Sequence, residues 1–288
     1  MNNITLLTGK LDGYALLDSG NGRRLEQFGE YILDRPDPQA LWQQASMEFW
    51  DKADARYERS FSDKGEWKIQ NKSMPEKWVM KYQNISFYCK LTPFKHTGVF
   101  PEQVAHWDFL NKLDLAGKKI LNLFAYTGIP TLVLANKGAE VTHVDASYPT
   151  IGWARENAAL SNLADKKIRW IQDDVIAFVR RELRRGSLYD GIIMDPPVLG
   201  HGPSGETWQF SKHFTELLAD CVNLLSEKPL FVIANAYAVS ASSLMLGNMV
   251  EDILSIKGGK TESGELCLTE STLRARVFST GIFARWSI

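Results

Sequence analysis

Cysteine is scarce and scattered in this chain of 288 residues: Cys89, Cys221 and Cys267 are all it has. An odd count at such wide spacing fits neither a disulfide framework nor a zinc site. No apolar run reaches the ~18 residues of a membrane-spanning helix. The first ten residues lack the basic start and apolar stretch of a secretory leader. A basic excess, the usual mark of a protein that grips long nucleic acid, is also missing. Lys and Arg number 33 against 34 Asp and Glu, for a net charge of −1. There are no internal repeats and no low-complexity linkers. These absences point to a cytoplasmic protein with no membrane partner and no resident metal. What is present agrees, because 44% hydrophobic residues and nine tryptophans are more than a disordered chain carries. The length allows one full α/β domain and a smaller one.

The texture changes along the chain. Residues 1–95 read as a small, mostly β accessory domain. Tyr14–Gly22 is a strand meeting an Asn-Gly turn, and Tyr31–Pro36 is a short strand stopped by proline. Residues 67–70, 78–82 and 85–91 alternate polar and apolar as half-buried strands do. One helix is expected over 39–56, with Leu41, Trp42, Ala45, Phe49 and Ala53 at helical spacing. Residues 96–288 form the second domain. Its strands at 119–124, 140–144, 168–172, 189–194 and 230–235 alternate with helices at 130–137, 149–160, 175–185, 212–225 and 241–254. A helix over 101–110 precedes them, and strands at 265–270 and 276–285 close the chain. Regular alternation implies a parallel sheet wound on both faces. The last two strands suggest an antiparallel edge pair.

In such a sheet, ligands bind beyond the carboxyl ends of the strands. Thr127-Gly128 follows the first strand there, where glycine lets backbone approach a ligand or simply makes a turn. The dinucleotide pattern Gly-x-Gly-x-x-Gly is absent, against a nicotinamide enzyme. Asp145 ends the second strand about twenty residues on, where a carboxylate can accept from two ribose hydroxyls; capping the next helix, with Ser147, is the alternative. Asp174 ends the third strand and can accept from an exocyclic amine; Asp173 competes, and either can cap a helix. Asp195-Pro196-Pro197 closes the fourth. Two prolines hold that carboxylate in a stiff corner, either to orient a substrate or only to end the strand. The glycine-rich 200–208 segment reads as a mobile loop over the site, with Trp208 either stacking on a base or packing inward. The cluster Lys166, Lys167, Arg169, Arg180, Arg181, Arg184 and Arg185 is either a solvated face or an RNA-facing patch.

On these residues the chain resembles the class I S-adenosylmethionine-dependent methyltransferases related to the bacterial enzymes that modify 23S ribosomal RNA at cytosine C5 or guanine N7. The matching segments are 96–103 (His-Thr-Gly-Val-Phe-Pro-Glu-Gln), Asn122 to Gly128, Val144-Asp145-Ala146-Ser147, and Trp153 to Asn157. Asp174, Asp195-Pro196-Pro197 and the 202–208 segment complete the set. The resemblance implies a Rossmann-like, seven-stranded α/β fold and S-adenosylmethionine as cofactor. It makes Phe124, Tyr126, Thr127, Gly128, Asp145, Ala146, Ser147, Asp174 and Asp195 its contacts. Two departures narrow the chemistry. The cytosine enzymes carry a nucleophilic cysteine after the fifth strand, and here that place reads Ala234-Asn235-Ala236-Tyr237. Val198 stands where the adenine-amine methylases have an aromatic after the diproline.

The expected function is therefore methyl transfer to RNA, ribosomal RNA foremost, at a nucleophilic nitrogen without a covalent cysteine intermediate. Asp195, Pro196 and Pro197 would orient the substrate, and Asn235 and Tyr237 would shape the base pocket. A protein or small-molecule acceptor is the alternative, and a catalytically idle RNA-binding factor with the same fold is a third. The sequence leaves the oligomeric state open.

Overall fold

Strands covered on both faces read as unbroken apolar runs, and such runs fill the middle of this protein. Its structure, a computed structural model, describes residues 5–45, 47–59 and 65–288. In chain order the first elements are β1 (Thr5–Thr8), β2 (Tyr14–Gly20), β3 (Arg23–Phe28), β4 (Tyr31–Pro36), α1 (Met47–Trp50), β5 (Ala55–Arg59), β6 (Gly65–Ile69), β7 (Lys77–Tyr82) and β8 (Ile85–Lys90). A short 3-10 turn (Pro101–Gln103) leads into α2 (Val104–Asn111), then β9 (Lys119–Leu123), α3 (Ile129–Asn136), β10 (Glu140–Asp145), α4 (Tyr148–Leu160), β11 (Ile168–Gln172), α5 (Val175–Arg185) and β12 (Gly191–Met194). The chain ends through β13 (Leu199–His201), β14 (Thr207–Gln209), α6 (Phe210–Asn223), β15 (Phe231–Ala236), α7 (Ser243–Leu254), β16 (Lys260–Thr269) and β17 (Val277–Ser287).

The main sheet runs in the order β1-β16-β17-β15-β12-β9-β10-β11. β11, β10, β9, β12 and β15 are mutually parallel, and β17 lies antiparallel to β15. This is the doubly wound, seven-stranded α/β sheet expected, extended at one edge by β1. Successive side chains point to opposite faces. Leu121, Leu123, Val144, Ile192, Met194, Val232 and Ala234 face α5, α6 and α7 in one apolar core. Asn122, His143, Phe231 and Asn235 face the other way and meet α2 and α3. α5 has the bounds read from the sequence because Asp174 caps its start and Gly186, in the left-handed region, ends it.

By contact the chain falls into two units. One holds residues 105–266 and 279–288 with the N-terminal segment up to Leu7; the other holds 8–104 and 267–278. The small unit thus runs past residue 95, takes in the 96–103 motif, and adds a piece of the terminal strand pair. It contains a five-stranded sheet, β2-β3-β4-β5-β6, and the β7–β8 hairpin.

The structure departs from the sequence reading in three places. The helix expected over 39–56 is a single turn, Met47–Trp50, with β5 beginning at Ala55; Ser46 lies outside the described residues. Tertiary hydrogen bonds take the backbone that a helix would use. Asn21 N–H donates to Trp42 O (2.7 Å), Gly22 N–H to Ala40 O (2.7 Å), and Ala45 N–H to Asp18 Oδ2 (2.8 Å). Leu41, which helical spacing would bury, is 84% exposed. β3 was not anticipated, since Arg23-Arg24-Leu25-Glu26 lacks apolar alternation. It is buried all the same, because Arg35 grips Glu26 with two 2.8 Å bonds and Arg24 meets Asp37 at 3.2 Å. Burial alone would raise the Glu26 carboxyl, but the charges of Arg24 and Arg35 outweigh it and hold it at about 2. Third, the segment after the diproline is an antiparallel hairpin, β13 on β14, rather than a loose loop.

Asp18 organises the small unit's irregular segment, accepting also from Ser19 N–H (2.9 Å) and from Trp50 Nε1–H (2.8 Å). Replacing Asp18 with Ala leaves buried donors unfilled and is expected to cost on the order of 3 kcal/mol. Urea unfolding followed by tryptophan fluorescence measures it. A variant as stable as the wild type would show that Asp18 does not hold this segment.

Candidate functional site

Register brings the candidate residues together. Val144 and Met194 both pair with Leu123, and Met194 also pairs with Ala234. The next residues, Asp145, Phe124, Asp195 and Asn235, therefore sit at one level on four neighbouring chains spaced about 4.8 Å apart. Gln172 extends the row on β11, as the partner of Asp145. Every sequence-predicted site residue lies on this row or in the turns just beyond it.

The turn after β9 is conformationally unusual. Phe124 (φ 54°), Tyr126 (φ 49°) and Gly128 (φ 80°) all occupy the left-handed region. Bulky residues adopt it only when their surroundings impose it, and such positions concentrate at functional sites. Here Ala125 N–H donates to Val144 O (3.0 Å) and Tyr126 N–H to Asp145 Oδ2 (2.8 Å). A Cβ on Gly128 would lie 2.9 Å from Ala154 Cβ, so glycine is required by both conformation and space. Thr127 is buried, its carbonyl accepting from Asn157 Nδ2 (3.0 Å). α3 starts at Gly128 with no side-chain cap, so its first N–H groups face the turn.

Asp145 also accepts from Ser147 N–H through Oδ1 (2.9 Å). Burial raises its carboxyl above the usual range, against the pull of these two backbone bonds. Each oxygen keeps further acceptor capacity. The helix cap itself is Ser147, which accepts from Thr150 N–H and Thr150 Oγ1–H; Ala146 is the link between them. Asp174 caps α5, with Oδ1 accepting from Ala177 N–H (2.9 Å), while Asp173 is ion-paired to Arg181. Asp195 is half-buried, its N–H donating to Leu123 O (3.3 Å). Pro196 is buried and Pro197 exposed, with the Pro197 carbonyl accepting from Trp208 Nε1–H (2.7 Å). Trp208 is buried against Phe124 (ring centroids 4.8 Å apart), which removes it as a free stacking surface.

Asn235 is buried and its Oδ1 lies 2.9 Å from His106 Nε2 on α2. Sequence reading missed His106, since nothing local marks a helical histidine as the partner of a residue so distant in sequence. Tyr237 follows β15, its ring lying where a Cβ on Gly281 would stand (2.7 Å). All three thiols are buried, and burial pushes those of Cys89 and Cys221 up. Of the seven clustered basic residues, five are ion-paired: Lys167 to Glu140, Arg169 and Arg185 to Glu182, Arg180 to Glu216, and Arg181 to Asp173. No helix among the described residues is long and apolar enough to cross a membrane.

No protein-family model matches the chain. It is similar throughout to a crystal structure of an S-adenosylmethionine-dependent methyltransferase from Agrobacterium tumefaciens. The two are 39% identical with a TM-score of 0.93, over 100% of this chain and 96% of that one. A protein from Streptococcus mutans, assigned as a candidate methyltransferase of the same kind, shares the fold at 20% identity, with a TM-score of 0.72 over 96% and 76% of the two chains. In sequence, 159 residues (54% of this chain) are 32% identical to ribosomal RNA large subunit methyltransferase K/L of Shewanella frigidimarina. That match spans only 22% of the relative.

Burial lowers both His106 and His143 to about 3, so each is neutral when folded. Unfolded, each titrates near 6.5. Between these values the unfolded chain binds protons the folded one does not, so stability is full above pH ~6.5 and falls as the pH drops. From pH 7 to 5 the two sites are each expected to cost on the order of 2 kcal/mol. Thermal melts of wild type and His143→Asn across this range check it; equal slopes would remove His143 from the effect.

Proposed function

The chain belongs to the S-adenosylmethionine-dependent methyltransferases, and on that premise we propose that it methylates RNA, ribosomal RNA foremost, at a nucleophilic nitrogen. The observation that carries this reading is the row Asp145–Phe124–Asp195–Asn235 at the strand ends, with all three thiols buried. The similarity of half the chain to a ribosomal RNA large subunit methyltransferase supports RNA as the acceptor.

The residues fit the cofactor. Asp145 retains acceptor sites for a ribose diol after binding Tyr126 and Ser147 N–H. Gly128 leaves the turn open, and the uncapped start of α3 offers N–H groups to a carboxylate. Asp174 keeps one oxygen for an exocyclic amine beyond its helix-capping bond. Phe124, Tyr126, Thr127 and Ala146 would line the same pocket. When bound, the cofactor supplies an electrophilic methyl group on a sulfonium.

The protein's part is orientation and exclusion of water. A ring nitrogen such as guanine N7 carries its own lone pair, so no thiolate is needed. Asp195, held by its strand-end bond and by Pro196-Pro197, would fix the acceptor in line. Asn235 and Tyr237 would contact the base on the neighbouring strand end. The ion-paired state of the basic cluster favours a second reading, in which the acceptor is a protein or a small molecule.

Labelled methyl transfer to RNA, protein and small-molecule fractions of undermodified cells separates these readings. Label in large-subunit RNA is the expected outcome, with affinity falling steeply as salt rises. Label in another fraction moves the second reading ahead, and cofactor binding without any transfer revives the idle factor. Asp145→Ala should lose cofactor binding by calorimetry. Asp195→Ala should keep it yet transfer methyl at least about a hundredfold more slowly, the scale of a lost orienting group; wild-type turnover would remove Asp195 from the mechanism.

A further inference from the structure

The His106–Asn235 pair joins a polar side chain of α2 to one at the end of β15 inside a packed face of the sheet, the two buried together at 2.9 Å. α2 is registered on β15 by a second contact three residues on, where Phe109 meets Phe231 edge-on. His106 is packed edge-on against Phe283, the strand partner of Asn235 on β17. Arg285, two residues further along β17, lies over Phe109 and is ion-paired to Glu262. Burial, aided by the charge of Arg285, keeps the imidazole neutral.

A neutral imidazole carries one proton, and the surroundings say where it sits. Nδ1 is buried with no hydrogen-bond partner among the described residues. Were the proton on Nδ1, a buried donor would be orphaned, the costlier arrangement. With the proton on Nε2, the bond to Asn235 Oδ1 is made and only a lone pair is left unfilled, the cheaper arrangement. The same choice fixes the carboxamide of Asn235, since only Oδ1 can accept from Nε2–H. Its Nδ2 group then carries two donors that the bond to His106 does not use. By register Asn235 stands beside Asp195, so the strand ends carry a residue with unused donors next to one that accepts.

We propose that His106 is a positioning residue for methyl transfer, locking the Asn235 carboxamide so that its Nδ2–H donors face the acceptor. The acceptor that fits carries a hydrogen-bond acceptor, a carbonyl oxygen or ring-nitrogen lone pair, beside the nitrogen that Asp195 orients. This rests on the reading that these strand ends receive the methyl acceptor.

The test begins with whichever fraction wild-type enzyme labels, so that the pair is judged on a real acceptor. His106→Leu should keep cofactor affinity within about twofold by calorimetry yet lower kcat/KM about tenfold, mainly in kcat, the scale of one hydrogen bond. His106→Gln, which keeps a donor, should recover most of that loss. Asn235→Ala should lose as much as His106→Leu, and the double variant should lose no more than Asn235→Ala alone. Independently of activity, 15N NMR of the imidazole should show the Nε2–H tautomer for His106. Wild-type kcat/KM in His106→Leu, additive losses in the double variant, or an Nδ1–H tautomer would each overturn the proposal. Should His106→Leu fail to fold, His106→Gln, Asn235→Ala and the NMR signal still decide it. Absence of label in every fraction overturns the methyltransferase reading on which it rests, while the tautomer reports separately on the pair.

Discussion

Hydrogen-bond register among five parallel strands is the constraint on which the candidate site depends. No single loop assembles it: Asp145, Phe124, Asp195 and Asn235 come from four strands and meet because those strands end in step. A slip of one residue on β15 would replace Asn235 at that level with an alanine and turn its side chain to the opposite face. The apolar face buried against α5, α6 and α7 forbids that slip, since it would drive Val232 and Ala234 out of the core. The packing of one face thus aligns the chemistry at the ends.

The small unit is built on a different principle. Its interior strand β3 is charged, and burial there is made tolerable by pairing: Glu26 is gripped by Arg35 and approached by Arg24 and Tyr14, while Asp34 holds Arg23. Such a network adds little net stability over an apolar core, but breaking one partner strands a buried charge. It also defines the arrangement of the strands narrowly, because each charge has specified neighbours.

This contrast explains what was legible beforehand. The α/β unit could be read closely because its signals are local: apolar runs for β9, β12 and β15, Asp174 and Gly186 bracketing α5, acids closing β10 and β12. The small unit was legible in β2 and β4, bounded by an Asn-Gly turn and a proline, and in β6, β7 and β8, which alternate polar and apolar; it was illegible in β3 and in the stretch after Pro38, where distant groups decide the backbone. Asp18 and Ser19 hold Trp42 and Ala45 away from the helix their spacing suggests. The 200–208 segment looked loose because glycine permits loops; its pairing into β13–β14, with Trp208 buried beneath, is a tertiary outcome. At the site, the strand-end acids and Gly128 were visible as residues, whereas His106 was not, because its meaning lies wholly in what it touches.

The small unit is not continuous in the chain: residues 8–104 are completed by 267–278, the far stretch of the terminal strand pair. Leu268 and Phe278 from that stretch share a core with Leu16 and Ala40, and Glu270 accepts from Ser19. The unit therefore cannot be excised, swapped or grafted by a single cut. Any chimera that exchanges it must carry both pieces, because its core draws on two distant stretches of the chain.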